Sequence, residues 1–293
     1  MTERHDNPHG AWALQPVLEM SNDEFHSWQV LLEDRTGVVI QEQRKAFLQT
    51  NLSSRMRELG VNEYADYYRQ VTDGPRGAVE WSVLLDRLTV QETRFFRHRA
   101  SFDVLERYLQ SRLQQPLKKP WELWSGGCSS GEEPYSLAIT AAQVLEDAGL
   151  PAHYAVTGTD ISLNALSKAR EGRFAARKLE QLEAHIAQRY FSAEPDGGFK
   201  VLPELASQVC CAKLNVLELE KGPMAGMDVI FCQNLLIYFR RWRRREILNC
   251  LAERLAPGGL LVIGVGEVAG WQHPDLIPVA DERVLAFTRK GKL

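Results

Sequence analysis

WELWSGGCSSGEEPYSLA, residues 121–138, reads as a buried strand, a tight turn of small residues, and a helix opened by paired carboxylates. That is the layout of a nucleotide-cofactor pocket. Gly126, Gly127, Ser129, Ser130 and Gly131 carry little or no side chain, so a ligand can approach the backbone closely while the following helix aims its free N–H groups at the same space. Glu132 and Glu133 stand where a dinucleotide-binding turn meets pyrophosphate, and two acids there would repel it. They suit a ligand bearing positive charge and hydroxyls, such as S-adenosylmethionine with its sulfonium and α-amino group. The stretch therefore favours a methyl donor over NAD or ATP.

Outward from this turn, the sequence from Trp121 alternates strand and helix. The pattern predicts strand 121–125, helix 132–148, strand 153–159, helix 162–171, a less regular insertion, strand 227–232, helix 241–255 and strand 259–265. Such alternation specifies a doubly wound, Rossmann-like α/β domain with its ligand at the carboxyl ends of the strands. Residues from about 22 to 110 instead show helical periodicity, as in Phe25, Trp28, Leu31 and Leu32, and later Tyr64, Tyr67, Tyr68 and Val71. The expected organisation is a tail over 1–21, a small all-α domain over 22–113 and the α/β domain over 114–293, with the linker at Gln114-Gln115-Pro116 to Pro120. Residues 172–213 form an inserted subdomain, in which the runs Ala184–Phe191, Gly197–Val201 and Gln208–Cys211 suggest a short helix and a small antiparallel flap.

Composition sets the outer bounds. With 293 residues, 44% hydrophobic and 25% charged, the chain is long enough for one sizeable α/β core and a smaller domain. A formal net charge of −3 argues against a dedicated nucleic-acid binder. The run Arg240-Arg241-Trp242-Arg243-Arg244-Arg245 is read either as a solvated helix face or as a patch for an acidic partner. No apolar run of about 18 residues is present, and the first 20 residues, with Pro8 and Pro16, lack a signal-peptide core; the expectation is a soluble, cytoplasmic protein without membrane insertion. Cys128, Cys210, Cys211, Cys232 and Cys250 lack metal-ligand spacing and sit mostly in apolar surroundings, so reduced thiols are expected, with no disulfide and no metal site.

Three further sites follow from the strand ends. The strand Tyr154–Thr159 leads to Asp160, about 29 residues beyond the turn, where an acid can accept both ribose hydroxyls or cap the helix beginning at Ile161-Ser162. Gln233-Asn234 follow the strand Asp228–Cys232 and can orient a ligand carboxylate or an adenine edge. Tyr238 is placed either to reach a reacting group or to fill the core. Pro257-Gly258-Gly259, and Gly266-Glu267 after the strand they introduce, read as structural. In the helical part, Gln91-Glu92-Thr93-Arg94-Phe95-Phe96-Arg97 suits a segment folded over the cofactor mouth, with Arg97 pairing a ligand carboxylate and Thr93 hydrogen-bonding it; alternatively Phe95 and Phe96 seal the domain interface.

ETRFFR, WSGGCSSGEEPYSLA, TGTDIS, FCQNLLIYF and LAPGGLLVIGVGE occur in that order, and together they resemble the CheR-type chemotaxis receptor methyltransferases over roughly residues 22 to 290. Phe25 to Tyr68, with Thr36-Gly37 and Arg44-Lys45, also resembles that family's helical domain. Within the family, the likeness is to the methyltransferase of the type IV pilus chemosensory system. The resemblance implies S-adenosylmethionine as cofactor, S-adenosylhomocysteine as product, and the cytoplasmic domain of a methyl-accepting chemoreceptor as partner. At matching positions it implies cofactor contacts from Gln91, Thr93, Arg97, Gly127, Glu132, Asp160, the Asn215-Val216 pair, Gln233 and Asn234. Gln233 stands where the family has arginine, which puts that contact in doubt, and Asn51 replaces an arginine in the domain thought to face the acidic receptor.

The reaction so implied is methyl transfer to a receptor glutamate, giving a γ-glutamyl methyl ester. A glutamate with an ordinary pKa of about 4.3 is already anionic at neutral pH, so alignment and desolvation replace a general base. Tyr238 and Arg97 are the candidates for steering it. In some members of the family the insertion grips a receptor peptide at a sheet edge; the plainer reading is a cover over the third strand. Two rival readings stay open: a signalling scaffold that keeps the pocket without catalysis, and a methyltransferase for small molecules or nucleic acid.

Overall fold

In the computed structural model, residues 19–114 and 119–291 are described. Most of the expected tail, with Pro8 and Pro16, and Gln115 and Pro116 of the expected linker lie outside them.

The amino-terminal part is helical: α1 (Asn22–Thr36), α2 (Lys45–Leu59), α3 (Tyr64–Thr72) and α4 (Gly74–Leu88). Ser21 and Glu24 close a capping box on α1, each side chain bonding the other residue's backbone N–H. Gly37 ends α1 at φ 75°, and a Cβ there would sit 2.8 Å from Leu217 and 2.9 Å from Phe239. That glycine lets the helical part touch the α/β part. Trp28, Leu48, Leu52, Tyr67 and Leu84 form the local core.

Helix α5 (Arg99–Arg112) turns its apolar stripe elsewhere. Phe102, Val104, Leu105 and Leu109 pack with Leu137, Val229, Phe231 and Leu260 of the α/β part, and the Tyr108 hydroxyl donates to the carbonyls of Asp228 (3.1 Å) and Gly258 (3.0 Å). The sequence assigned this helix to the amino-terminal unit because the polar break comes after it. Its burial assigns it to the sheet.

There follow β1 (Trp121–Gly126), α6 (Glu132–Asp147), β2 (Tyr154–Asp160), α7 (Leu163–Glu171), β3 (Arg173–Ala175), α8 (Ala176–Leu179), α9 (Ala184–Tyr190), β4 (Phe191–Ala193), β5 (Gly198–Val201), α10 (Pro203–Ala206), β6 (Val209–Lys213), β7 (Met227–Cys232), α11 (Arg241–Arg254), β8 (Leu255–Ile263), β9 (Leu276–Pro278) and β10 (Leu285–Arg289). The main sheet runs β6-β2-β1-β7-β8-β10-β9, with β10 and β9 antiparallel to their neighbours and the other strands parallel. Order reverses between β1 and β7, which opens a crevice at their carboxyl ends. The expected Rossmann-like sheet, small all-α part and small β insertion are all present.

Two assignments change. Gln208–Cys211 was expected in the flap, yet β6 pairs in parallel with β2, from Val156↔Val209 to Asp160↔Lys213, and forms an edge of the main sheet. The flap is β3-β5-β4, antiparallel throughout. The last parallel strand begins at Leu255 rather than 259 and ends at Ile263, with an irregular register opposite Met227–Val229 that absorbs Pro257 and Gly258. Among the described residues no helix is long and apolar enough to cross a membrane.

Candidate functional site

The turn after β1 is pinned to the end of β2. Gly127 and Cys128 both donate their N–H to the Thr159 carbonyl (2.8 and 2.9 Å), and Gly127 takes φ 78°. Gly131, at φ 102°, lies so close to Ala169 that a Cβ would meet it at 3.0 Å, which seats the start of α6 on α7. Asp160 accepts the N–H of Ser129 on one oxygen and of Ser162 on the other, both at 2.9 Å. Burial pushes its carboxyl above the usual range, opposed by these amides. Each oxygen keeps a lone pair for a further donor.

Between these segments lies a small cavity. Gly126, Gly127 and Asp160 border one side, while Leu214, Val216, Leu219, Leu235 and Phe239 give an apolar wall. An apolar wall, a carboxylate edge and bare backbone fit an adenosyl group. Thr36 and Val38 complete the lining from the helical part; the sequence reading missed them, because their contribution depends on how that part docks. Asn215 lines the cavity too, but its amide is spent on structure: Nδ2 donates to the Arg35 carbonyl (2.8 Å) and Oδ1 accepts from Leu217 N–H (3.1 Å).

A separate, open cleft is lined by Glu92, Thr93, Arg94, Arg97, Arg177, Lys178 and Gln181. Thr93 and Arg97 of the expected motif therefore border this cleft and not the cavity. Arg97 donates to the Glu92 carbonyl at 2.8 Å. Phe95 is buried against Phe174 and Phe191 of the flap, with ring centroids 4.8 and 5.4 Å away, and Phe96 packs on Phe102 at 4.9 Å. The two phenylalanines seal the motif segment while its polar residues face the cleft.

Other expected residues are placed apart from the cavity. Glu132 is 1% exposed and bonds Lys178 Nζ at 2.8 Å and the Ser130 hydroxyl at 2.7 Å. Gln91 reaches the Ser162 hydroxyl at 3.3 Å. Gln233 is buried and donates to the Ser101 hydroxyl at 2.8 Å, so it points back into α5. Asn234 is exposed at φ 58°, its N–H held by Glu267. Glu267 also accepts from Leu236 N–H at 2.8 Å, and burial raises its carboxyl. This residue was read only as structural; its task is to anchor the loop that carries Tyr238. Burial raises the Tyr238 phenol, and the Arg44 and Arg97 guanidinium groups oppose the rise. Glu133 accepts from the Ser125 hydroxyl at 2.7 Å, and burial pushes its carboxyl up to about 7.

The arginine run 240–245 is divided among separate tasks. Arg240 pairs with Glu33 of α1, Arg243 with Glu246, and Arg244 donates to the carbonyls of Phe239 (2.8 Å), Glu267 (2.7 Å) and Ile237 (3.2 Å).

Comparison with known proteins bears on what this arrangement does. A family model described as CheR methyltransferase, SAM binding domain, matches residues 91–284, and one described as CheR methyltransferase, all-alpha domain, matches residues 23–89. The boundary between them precedes α5, where packing also puts it. The chain is 32% identical over 253 residues to the chemotaxis protein methyltransferase of Salmonella typhimurium, covering 85% of each chain. It is also 32% identical to that of Escherichia coli, over 85% of this chain and 86% of that one. Chemotaxis protein methyltransferase 2 of Pseudomonas aeruginosa is 30% identical over 84% of this chain and 87% of its own.

Proposed function

The chain belongs to the CheR methyltransferase family, and from that premise we propose that it methylates glutamate side chains of a methyl-accepting chemoreceptor in the cytoplasm, using S-adenosylmethionine. The observation that carries the reading is a cavity edged by the Asp160 carboxylate, bare glycine backbone and an apolar wall, at the carboxyl ends of the parallel strands. When bound, the cofactor supplies an electrophilic methyl group on a sulfonium. Gly126 and Gly127 give its adenosyl part a close backbone approach, Asp160 accepts the ribose hydroxyls, and Val216 and Phe239 cover the base.

The acceptor carboxylate approaches through the cleft, where Arg94, Arg97 and Arg177 outweigh the single lining acid, Glu92, and Lys178 is paired with Glu132. Its ordinary pKa, about 4.3, leaves it anionic at neutral pH, so no residue is needed to remove a proton. Arg97 and Tyr238 orient the carboxylate behind the methyl. The apolar wall excludes water, which favours a transition state in which anion and cation charges are being neutralised. Tyr238→Phe slows transfer several-fold while leaving cofactor affinity unchanged in a titration, if its hydroxyl acts on the acceptor.

The test is transfer of labelled methyl from S-adenosylmethionine to membranes carrying a candidate receptor, from a flagellar or a type IV pilus system, followed by mild alkali. Base-labile label on the receptor supports glutamyl methylation, and the receptor labelled decides between the two systems. Cofactor binding without label on either receptor would instead favour another acceptor or a signalling scaffold.

A further inference from the structure

The arginine run 240–245 opens α11 and is only partly absorbed by the fold. Arg240 pairs with Glu33, Arg243 with Glu246, and Arg244 with backbone carbonyls, whereas Arg241 and Arg245 are exposed and, among the described residues, meet no acid or acceptor. Their placement works against the helix. The first turn of α11 contains no acid, so its cations stand at the positive end of the macrodipole, where they subtract from stability. For Arg241 and Arg245 no internal partner offsets that cost.

Apolar side chains gather at the same place. One guanidinium, that of Arg244, bonds the Ile237 carbonyl at 3.2 Å and the Glu267 carbonyl at 2.7 Å, and so ties two loops to the start of α11. Ile237 on the first loop is 48% exposed, Val265 on the second 61% and Trp242 on the helix 51%. Arg243 lies over the Trp242 ring, 4.2 Å from its centroid, and steadies it. Spacings of three and four residues put Arg241, Trp242 and Arg245 on one helix face. An indole and two aliphatic side chains among unpaired guanidinium groups have the composition of a protein-binding surface rather than of a solvated helix.

Its position says which protein. Ile237 precedes Tyr238, whose phenol lies within the field of the Arg97 guanidinium at the cleft. A glutamate side chain is short, so the backbone that brings an acceptor carboxylate to Tyr238 lies over Ile237 and the start of α11. Resting on the function proposed above, we infer that Ile237, Trp242, Val265, Arg241 and Arg245 form a docking surface for the acceptor protein, receiving the acidic, partly apolar face that flanks its methylated glutamate. The apolar contacts hold that face, and the two arginines steer it and set its register. Nucleic acid and anionic lipid share the attraction to guanidinium groups, but neither presents a carboxylate side chain at Tyr238.

The experiment is steady-state methylation of membranes carrying a receptor that the wild-type chain labels, at saturating S-adenosylmethionine, by the double variant Arg241→Glu/Arg245→Glu, the double variant Arg241→Lys/Arg245→Lys, and Trp242→Ala. The glutamate pair should raise KM for the receptor at least about tenfold with kcat within about twofold, the lysine pair should stay within about threefold of wild type, and Trp242→Ala should raise KM at least about fivefold. The glutamate pair should melt no lower than wild type, because acids suit a helix amino terminus. S-adenosylhomocysteine affinity in titration should be unchanged for all three, since none of these residues lines the cavity. Raising salt from about 50 to about 300 mM should raise the wild-type KM and leave that of the glutamate pair nearly flat. An unchanged KM in the glutamate pair overturns the inference, and so does an equal loss in the lysine pair or a parallel loss of S-adenosylhomocysteine affinity, which would mean a structural role. Wild-type sedimentation with receptor-free membranes, or with a random-sequence DNA duplex, as strong as with receptor membranes and lost in the glutamate pair would assign the patch to lipid or nucleic acid and overturn it too. All these outcomes leave wild-type transfer intact; absence of transfer to any receptor would overturn the proposed function itself, and this inference with it.

Discussion

Glu133 follows Glu132 in the turn but meets a different environment. Glu132 has a lysine for partner, whereas Glu133 has the Ser125 hydroxyl, and burial, with Glu267 adding, moves its carboxyl from an ordinary 4.5 up to about 7. Between those values the folded chain holds a proton that the unfolded chain has released, so stability falls as pH rises across the window. Glu133→Gln removes this slope; relative to wild type it gains on the order of 2 kcal/mol between pH 5 and pH 8, the full shift being discounted for partial exposure. Thermal melts of both chains across that range check it, and parallel profiles would refute it. Asp160 answers at the same scale. Asp160→Ala leaves the Ser129 and Ser162 amides without their acceptor, at about 1–3 kcal/mol, and removes the acid at the cavity edge. A folded variant with S-adenosylhomocysteine affinity down at least about a hundredfold is expected from losing two charge-assisted bonds; retained affinity in titration would end the ribose assignment. Both acids were legible in the sequence by position, at the turn and at the second strand tip. Their different surroundings were not, because burial is a property of packing.

At the level of elements, the loop between β7 and α11 is held from both ends. Glu267 accepts the amides of Asn234 and Leu236, and Arg244 donates to the carbonyls of Ile237, Phe239 and Glu267. Arg244→Met strips three carbonyls of a charged donor, costing about 2–3 kcal/mol. Because the loop carries Leu235 and Phe239 of the cavity wall as well as Tyr238, methyl-transfer rate and S-adenosylhomocysteine affinity should fall together, the rate at least about tenfold, an effect of about 1.4 kcal/mol or more. Kinetics and titration on one preparation test this; a rate loss with unchanged affinity would mean that the loop serves Tyr238 alone. The helices and parallel strands could be read from periodicity, and their ends fell within a few residues. β6 could not, since a five-residue run has the same alternation whether it pairs with a flap or with β2, and pairing is decided by distant residues. α5 escaped for a related reason: its apolar stripe is visible in sequence, but the surface it covers is not.

At the scale of the whole molecule, Thr36 and Val38 of the helical part line the cavity, and that part is joined to the α/β part by hydrogen bonds. Val39 N–H donates to the Tyr238 carbonyl at 2.9 Å, and Asn215 Nδ2 to the Arg35 carbonyl at 2.8 Å. The exposed Glu33–Arg240 pair is screened by solvent and adds little. Asn215→Ala removes one of these contacts and the cap of the turn at Val216–Lys221, so a loss of about 1–2 kcal/mol is expected together with weaker S-adenosylhomocysteine binding. Arg240→Gln should leave both nearly unchanged. Melting and titration of the two variants side by side give the comparison; a larger loss for Arg240→Gln than for Asn215→Ala would mean that the surface pair, and not Asn215, sets the docking.

By itself the sequence determined the α/β sheet, the helical part before it, the small-residue turn and the acids at the strand ends, because periodicity, glycine and strand-tip chemistry are local properties of a chain. Tertiary structure decided the rest. Docking brought Thr36 and Val38 to the cavity, turned Gln233 toward Ser101, spent Asn215 on Arg35 and set Lys178 on Glu132. Each of these pairs lies far apart in sequence, and which buried polar group satisfies which is fixed only when the elements pack.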